Sequence, residues 1–383
     1  MAIKINAPSD CCGCTACASV CRHAAITMQA DATGFVYPLV DADKCVECGL
    51  CEKVCQFKAD YQRYDNFDEP RYYAMRCLDT AELDKSQSGG AFFILSQEVL
   101  SRGGIVYGAA LDKAFRVEHQ QAETAEARDR QRGSKYVQSS LEGIFQQIKE
   151  DMRSGRQVLF SGTPCQCAGL RSFFGRRQPD NLFTVDLLCH GVTSPLFWAQ
   201  YLAMISKMRR KEITEVRMRD KSFGWLSSQE TYLFGNEKLH KNTFYALYYA
   251  GHISRPSCFA CPFVNTQRVA DITIGDYHGW NQHHDTFTDN TGVSLAMANS
   301  AKGMALIESV QGKAHVFCEP TDIVLSEHVA LTKRATKPDT YDIFWQRFQK
   351  HGAKYVCKKY SDMAWRTQMH IRVHKWLTKI LPR

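Results

Sequence analysis

Residues 11–21 read CCGCTACASVC, and residues 45–55 read CVECGLCEKVC. Both stretches space four cysteines in the same rhythm of two, two and three intervening residues. The cysteines are Cys11, Cys14, Cys17 and Cys21 in the first run and Cys45, Cys48, Cys51 and Cys55 in the second. Runs of this form ligate iron–sulfur clusters. The two runs therefore predict a pair of 4Fe-4S clusters near the start of the chain.

This segment resembles the bacterial two-cluster ferredoxins, in which the fourth cysteine of each run ligates the other cluster. The resemblance implies crossed ligand sets, namely Cys11, Cys14, Cys17 and Cys55 for one cluster and Cys45, Cys48, Cys51 and Cys21 for the other. Arg22 and Gln56 stand where ferredoxins commonly have proline, which we expect to alter the potentials but not ligation. Cys12 is surplus to the pattern, and we interpret it as a buried thiol beside a cluster.

A zinc-binding or disulfide-stapled module is the alternative interpretation of these cysteines. CxxC pairs also suit zinc, and an even number of cysteines suits disulfide bridges. Zinc sites use four ligands in two pairs, whereas two identical four-cysteine runs are typical of a cluster pair. We therefore favour the clusters.

Size and composition indicate a cytoplasmic protein of more than one domain. The chain has 383 residues, and its 44% hydrophobic content is enough to fill real cores. Secreted disulfide proteins are short and carry a signal peptide, but the opening MAIKINAPSD has no apolar region. Apolar stretches such as AFFIL at 91–95 are far shorter than the roughly 20 residues of a membrane helix. We expect a soluble or peripheral protein in a reducing cytoplasm.

The net charge of +8 favours an anionic partner, such as a phosphate-bearing cofactor or a lipid surface. No nucleic-acid-binding motif is present, so we set that partner aside. Basic residues gather in the C-terminal tail at Lys358, Lys359, Arg366, Arg372, Lys375, Lys379 and Arg383. Four of them, Arg372, Lys375, Lys379 and Arg383, lie largely around an apolar helical face of Met369, Val373, Trp376, Ile380 and Leu381. This pattern suits peripheral membrane contact, and the alternative is a terminal helix packed on its own domain.

Apolar periodicity predicts helices that alternate with strands after residue 88. The elements are a helix at 91–102, a strand at 105–111, a helix at 141–155, a strand at 157–162, a helix from about 166 and a strand at 183–189. Such alternation implies a largely parallel sheet. Residues 213–248 predict shorter strands in an antiparallel or mixed region, 269–276 predict a further strand, and 292–310 predict a strand and a helix. The tail from about 340 is predicted to be helical.

Four later loop regions hold the remaining chemistry-bearing residues. They read GTPCQC at 162–167, CHG at 189–191, RPSCFACP at 255–262 and GDYHG at 275–279. Each lies after a predicted strand or near a turn, where open α/β sheets collect ligands. Cys165 or Cys167, together with Cys189, Cys258 and Cys261, would complete a third four-thiolate site. Taken singly, a CxxC pair is equally typical of a redox-active or zinc site.

Five phrases in this order resemble the beta-subunit family of coenzyme F420 hydrogenase/dehydrogenase: SGGAFFIL, GTPCQCAGLR, LLCHGVTSP, CFACPF and ADITIGDYHG. The resemblance covers about residues 76–330. It implies FAD beside a third 4Fe-4S cluster held by Cys165, Cys189, Cys258 and Cys261, with Cys167 the alternative to Cys165. It also implies electron transfer to a substrate such as the deazaflavin F420. Family relatives occur in bacteria that make no F420, so the substrate stays open.

The resemblance and the loop positions together give the candidate site residues. The candidate cofactor-binding residues are Ser88, Gly89, Gly90, Ser134, Lys135, Tyr136, Thr163, Pro164, His190, Gly191 and Asp276. Glycine permits close approach and helix starts attract anions, although ordinary turn formation is the alternative role of the glycines. Hydride transfer itself needs no protein acid or base. For any substrate proton the candidate catalytic residues are His190, Tyr277 and His278.

We therefore expect α+β and α/β architecture in four parts. These are a two-cluster ferredoxin domain at 1–60, a connector at 61–75, a mixed α/β domain binding FAD and a 4Fe-4S cluster at 76–330, and a helical basic tail at 331–383. The expected activity is an FAD-dependent iron–sulfur oxidoreductase that exchanges electrons with a ferredoxin or another redox partner protein. The alternatives are a non-catalytic electron-transfer subunit and a non-redox transferase with a structural zinc at the central CxxC.

Overall fold

The computed structural model of the protein describes residues 1–363. The apolar face that suggested membrane contact, from Met369 to Leu381, lies outside the described residues. The strands are β1 (Ile26–Ala30), β2 (Val36–Val40), β3 (Arg71–Cys77), β4 (Ile105–Leu111), β5 (Val117–Ala122), β6 (Val158–Gly162), β7 (Leu182–Leu187), β8 (Glu215–Arg217), β9 (Glu230–Phe234), β10 (Glu237–Lys241), β11 (Ile272–Asp276), β12 (Ser294–Ala298) and β13 (Ala314–Glu319).

Helices separate most of these strands along the chain. They are α1 (Ala16–Val20), α2 (Leu50–Lys53), α3 (Thr80–Lys85), α4 (Ala91–Ser101), α5 (Ala125–Asp129), α6 (Ile144–Arg153), α7 (Pro164–Phe174), α8 (Pro195–Arg209), α9 (Thr243–Tyr249), α10 (Trp280–His283), α11 (Ala301–Glu308), α12 (Thr321–Glu327) and α13 (Tyr341–Tyr360). Within residues 1–363, none of them combines the length and the apolar content that crossing a membrane requires.

The N-terminal segment is built around its two cysteine runs. Each run contains one short helix, α1 in the first and α2 in the second. Between the runs, β1 and β2 form an antiparallel hairpin in which Ile26 pairs with Val40. The buried Gln56 fastens the segment to the rest of the protein, because its amide Nε2 donates to the Ser172 hydroxyl of α7 at 3.3 Å. Gln56 thus makes a contact that a proline at this position would lack.

The large sheet has the strand order β13-β3-β12-β11-β7-β6-β4-β5. Its centre is parallel, with β4, β6, β7 and β11 aligned, while the pairs toward both edges are antiparallel. The expected mixed α/β architecture is confirmed, and the strands predicted at 105–111, 157–162 and 183–189 are parallel as expected, although the sheet as a whole is mixed. At one edge, only residues 112–116 join β4 to β5, and a connection this short allows only an antiparallel pair.

Residues 71–75 of the predicted connector belong to β3, which lies between β12 and β13 in the large sheet. Alternate residues of β3 are buried on opposite faces, with Tyr72 packing in one apolar cluster and Tyr73 in another. The segment therefore contributes to the core, and the polar linker is shorter than the sequence suggests.

Helices cover both faces of the large sheet. α4 and α11 pack one face through Leu95, Val99 and Leu306. α6 and α7 pack the other through Phe145 and Leu170. These layers leave the carboxyl ends of the parallel strands open to the loops that follow them.

A separate apolar cluster joins α8, α9 and α13 to the three-stranded sheet β10-β9-β8. The ring of Phe197 in α8 lies 6.1 Å from that of Phe344 and 5.5 Å from that of Phe348, both in α13. The predicted helical start of the tail is thus observed as α13, which packs in this cluster.

Candidate functional site

The site begins at the carboxyl ends of β6, β7 and β11. These strands are neighbours in the parallel part of the sheet, with Gly162 opposite Asp186 and Ile274 opposite Leu187. The residues that follow them are therefore brought to one edge, as the sequence predicted for open α/β sheets. Thr163 and α7 follow β6, Cys189 and His190 follow β7, and His278 follows β11.

The third thiolate set assembles at this edge. Cys165 lies in the first turn of α7, Cys189 follows β7, and Cys258 and Cys261 lie in and just after the 3-10 helix Pro256–Ala260. The thiol of Cys189 interacts electrostatically with each of the other three. Backbone N–H groups also reach this set, from Gly191 to the Cys189 Sγ at 3.3 Å and from Val192 to the Cys258 Sγ at 3.4 Å. Such hydrogen bonds favour the thiolate form that a metal requires.

The structure separates Cys165 from Cys167 as candidate ligands. The Cys167 Sγ lies 3.7 Å from the Val185 carbonyl oxygen, to which it donates, and the side chain is completely buried among the apolar residues of α6, α7 and the sheet. The Cys165 Sγ lies 3.1 Å from the Thr163 hydroxyl and interacts with Cys189, Cys258 and Cys261. Cys165 therefore shares the site, and Cys167 faces the sheet.

The four cysteines of the first crossed set lie close to one another in the structure. The Cys17 thiol interacts electrostatically with those of Cys14, Cys11 and Cys55, so the fourth member comes from the second run. Burial raises the pKa of Cys11 to about 11, and burial raises the pKa values of Cys17 and Cys55 as well. A cluster must displace these protons on binding.

The second crossed set lies nearer the surface. Cys51 is buried and Cys21 partly buried, and both pack in a small apolar cluster with Ile26. The Cys51 Sγ accepts a hydrogen bond from the Ile3 backbone N–H at 3.2 Å. Cys45 is half-buried and Cys48 is exposed. Of the three sets, this one has a thiol that an external protein can approach.

Within residues 1–363, no group of three or more histidine, cysteine or acidic side chains is close enough to hold a single metal ion. Thiolates on a single zinc ion would all lie about 2.3 Å from it. Cysteines that ligate a 4Fe-4S cubane stand further apart, because four irons and four sulfides lie between them.

Cys12 lies between two of the thiolate sets. Its thiol can donate to those of Cys14 and Cys165, and these interactions, with burial, hold the pKa of Cys12 well above its usual value. The same contact from Cys12 is the largest cause that lowers the pKa of Cys14, and it lowers the pKa of Cys165 to about 7. Cys12 is thus the neutral donor and the other two are the favoured thiolates.

A cavity of about 480 Å³ opens beside the third thiolate set. Most predicted cofactor-binding residues line it, as do two of the predicted catalytic residues: Ser88, Gly90, Ser134, Lys135, Tyr136, Thr163, His190, Gly191, Asp276 and His278. Cys189 is also in the wall, so the third thiolate set adjoins the cavity. The volume lies within the range of about 300–1,000 Å³ that is typical of cofactor sites.

Three predicted site residues do not line the cavity. Pro164 begins α7 behind Thr163. A Cβ atom at Gly89 would lie 2.2 Å from the Met75 carbonyl oxygen. Close packing therefore requires glycine at this position. Tyr277 is completely buried, and its hydroxyl donates to Glu319 at 2.7 Å. Its surroundings are those of a core residue.

Several lining residues were missed by the sequence analysis. His119 and Gln131 are buried polar side chains of the wall, and no hydrogen-bond partner is found for the His119 Nδ1 or the Gln131 Oε1 in the described part of the chain. Tyr245, Tyr248 and Tyr249 of α9 add an aromatic wall. Their spacing of three and four residues places them on one face of the helix, and this was the available signal. Nothing in the sequence marked His119 or Gln131.

The electrostatics of the cavity favour an anionic group near Lys135. The Lys135 Nζ donates to the carbonyl oxygens of Arg132 at 2.6 Å and Arg130 at 3.1 Å. Burial lowers the pKa of Lys135 to about 7. By contrast, Arg219 in the same wall has a carboxylate partner in Asp276. Lys135 is thus the cation that an incoming anion can stabilise.

Comparison with known proteins places families on two parts of the chain. A 4Fe-4S dicluster domain matches residues 10–59. The family described as the C terminus of the coenzyme F420 hydrogenase/dehydrogenase beta subunit matches residues 155–322. Among solved structures, a chain of the xenon-derivatised F420-reducing NiFe hydrogenase complex from Methanosarcina barkeri is 17% identical, with a TM-score of 0.47, over 76% of this chain and 91% of that one. No curated protein matches.

Proposed function

Because the chain is an iron–sulfur redox protein that joins a 4Fe-4S dicluster domain to a domain of the coenzyme F420 hydrogenase/dehydrogenase beta-subunit family, we propose that it is an FAD-dependent oxidoreductase. The proposed reaction moves a hydride to or from F420 or another small substrate and single electrons to or from three 4Fe-4S clusters. FAD, when bound, supplies the conversion between one-electron and two-electron transfer. One observation carries the proposal: Cys189 belongs to the third thiolate set and also lines the cavity.

The phosphates of FAD would be held where α4 begins. Gly90 adopts a left-handed conformation with φ of 83° and precedes the first residue of the helix. Gly90 has no side chain that could cap this helix start, the Ala91 N–H donates to the Ser294 hydroxyl at 3.4 Å, and Ala91 and Phe92 line the cavity. Free N–H groups at a helix start attract anions. Lys135, on the same cavity wall, adds a positive charge for which residues 1–363 provide no carboxylate partner.

Two unpartnered acceptors would bind donors of the cofactor or substrate. The Nε2 of His119 lies 2.9 Å from the Ser161 carbonyl oxygen, and burial lowers the pKa of His119 to about 4. The ring is therefore neutral, with Nε2 the donor and Nδ1 the acceptor. The amide Nε2 of Gln131 donates to the Gln120 carbonyl oxygen at 2.8 Å, which leaves Oε1 to accept. A flavin ring N–H or a ribityl hydroxyl would satisfy such groups.

Aromatic side chains would exclude water from the reacting centre. The Tyr245 hydroxyl donates to the Tyr136 hydroxyl at 2.6 Å, and the ring of Tyr136 lies 5.1 Å from those of both Tyr245 and Tyr248. His190 adjoins this wall, with its ring 6.4 Å from that of Tyr249. Burial lowers the pKa of His190, so its imidazole is neutral near pH 7 and can accept a substrate proton.

At the other end of the protein, the exposed Cys48 marks where a ferredoxin or another cytoplasmic redox partner would exchange electrons with the second cluster. The first crossed set adjoins both of the others, since Cys17 packs with Cys21 and Cys51, and Cys14 and Cys165 share the Cys12 contact. The three sets therefore form a path from the surface to the cavity.

Anaerobic purification followed by iron and flavin analysis tests the proposed function. We expect about twelve irons, as three clusters of four, and one FAD per chain. The flavin absorbance should bleach or recover when F420 of the opposite redox state is added. The full iron content without bound flavin would contradict the enzymatic proposal. The alternative of a non-catalytic electron-transfer subunit would then remain. Flavin that F420 leaves unchanged would point to another small substrate.

A further inference from the structure

The Cys12 thiol and the Arg255 guanidinium lie where the first and third thiolate sets meet. Cys12 is 7% exposed, and its thiol contacts Cys14 of the first set and Cys165 of the third. The two sets pack closely here, because a Cβ atom at Gly169 in α7 would lie 2.8 Å from the Cys14 Sγ. The helix that presents Cys165 therefore rests directly on the first set.

Arg255 is fully buried at the same place. Its guanidinium donates to the carbonyl oxygens of Cys11 and Val36, each at 2.9 Å, and to the Gln138 Oε1 at 2.8 Å. The Gln138 Nε2 in turn donates to the Cys12 carbonyl oxygen at 3.0 Å. These bonds join the N-terminal segment to the loop that carries Cys258 and Cys261.

The charge of Arg255 is not balanced by a carboxylate. Its hydrogen bonds go to neutral oxygens, and no ion pair with an acidic side chain is found for it in the part of the chain that the structure describes. Its guanidinium also lies 4.5 Å from the centre of the Tyr37 ring. A buried cation without a counter-charge is costly. The groups on which its charge acts are cysteines of both sets, namely Cys11, Cys14, Cys165 and Cys258.

Thiolate-ligated clusters would supply the missing negative charge. Net charge and hydrogen bonds to the cluster sulfurs set the reduction potentials of such clusters. A nearby cation or donor stabilises the reduced form, which carries one more negative charge. We propose that Cys12 and Arg255 form a junction that raises the reduction potentials of the first and third clusters together. This inference rests on the three-cluster assignment of the proposed function.

If the junction acts in this way, changes to it should affect the reduction potentials of two clusters and not that of the other one. The second set, with Cys21, Cys45, Cys48 and Cys51, receives no hydrogen bond from Cys12, and Arg255 makes no hydrogen bond to it within residues 1–363. Its potential should be insensitive to changes at the junction. The second cluster is therefore an internal control in the same sample.

Redox titration of the holoprotein, followed by EPR, tests the charge of Arg255. Arg255→Met should lower the potentials of the first and third clusters and leave that of the second unchanged. Arg255→Lys keeps the charge and should restore most of the shift. About twelve irons with all three potentials unchanged in Arg255→Met would overturn the junction while leaving the proposed function intact. About eight irons in the unaltered protein would instead overturn the three-cluster assignment.

Variants of Cys12 test the hydrogen bonds and remain informative if Arg255→Met does not fold. Cys12→Ala removes the donor and should lower the same two potentials, whereas Cys12→Ser keeps an O–H donor and should stay near the unaltered protein. Full iron in each variant shows that Cys12 is not a ligand. Equal potentials in the alanine and serine variants would contradict the hydrogen-bonding role.

Discussion

The Nη1 atom of Arg219 lies 2.5 Å from the Oδ2 atom of Asp276 in the wall of the cavity. Both side chains are largely buried, with 8% and 16% of their surface exposed. Asp276 is the last residue of β11 and Arg219 follows β8. The ion pair therefore connects the large sheet to the three-stranded sheet. This supports a role for Asp276 in shaping the cavity.

Asp276→Asn should destabilise the protein. The substitution leaves the buried Arg219 without a charged partner, and we expect a cost of about 3 kcal/mol. Anaerobic thermal unfolding should show a clearly lower midpoint. Glu237→Gln is the matched control, since Glu237 pairs with Lys211 at the exposed surface, where such pairs contribute little to stability. Similar midpoints for the two variants would show that the Arg219 contact is not needed for stability.

Cys165→Ala and Cys167→Ala should differ in iron content. The two residues lie two positions apart in one helix, but only Cys165 joins the third thiolate set. We expect Cys165→Ala to lose about four irons and Cys167→Ala to keep about twelve. Cys167→Ala removes a completely buried thiol and serves as the control for disturbance of α7. Loss of the same iron from both variants would contradict the assignment.

The sequence predicted those features of the site that local sequence patterns determine. Strand periodicity placed Cys189 and Asp276 at neighbouring strand ends, because parallel strands direct their carboxyl ends to one edge. It did not place β3 between β12 and β13, since no local pattern records which strand a distant segment pairs with. Arg255 stood out in the sequence only as part of a cysteine motif. Its burial depends on contacts with Cys11 and Val36, more than 200 residues away.

Flavin affinity should depend on the protonation of Lys135. Burial holds the pKa of Lys135 at about 7 in the protein without cofactor, and a bound phosphate would raise it. Affinity should therefore be greatest below pH 7 and fall as pH rises between these two pKa values, by up to about tenfold per pH unit. Lys135→Met should bind FAD more weakly at pH 6 and lose this pH dependence.

Fluorescence titration of flavin-depleted protein from pH 6 to 9 measures the effect of Lys135. Lys113→Met is the matched control, because Lys113 is exposed and does not line the cavity. It should follow the unaltered protein at every pH. A pH profile of Lys135→Met that matches the unaltered protein would place the flavin phosphates elsewhere.

Glu230 should make stability depend on pH. Its carboxylate accepts hydrogen bonds from the Tyr232 hydroxyl at 2.7 Å, the Tyr201 hydroxyl at 3.1 Å and the Tyr245 backbone N–H at 2.8 Å. Burial nevertheless raises the pKa of Glu230 from 4.5 to about 7. The folded protein thus binds a proton that the unfolded chain releases between these values. Its contribution to stability is complete below about pH 4.5 and is lost as pH rises toward 7.

Glu230→Gln isolates this contribution, because glutamine keeps the shape and does not titrate. The stability difference between the two proteins should change in favour of the variant by roughly 3 kcal/mol between pH 5 and pH 8. Anaerobic denaturant unfolding at several pH values measures it. The exposed Glu237→Gln should show no such change. A stability difference for Glu230→Gln that stays constant from pH 5 to pH 8 would mean that the three hydrogen bonds to the carboxylate offset the effect of its burial.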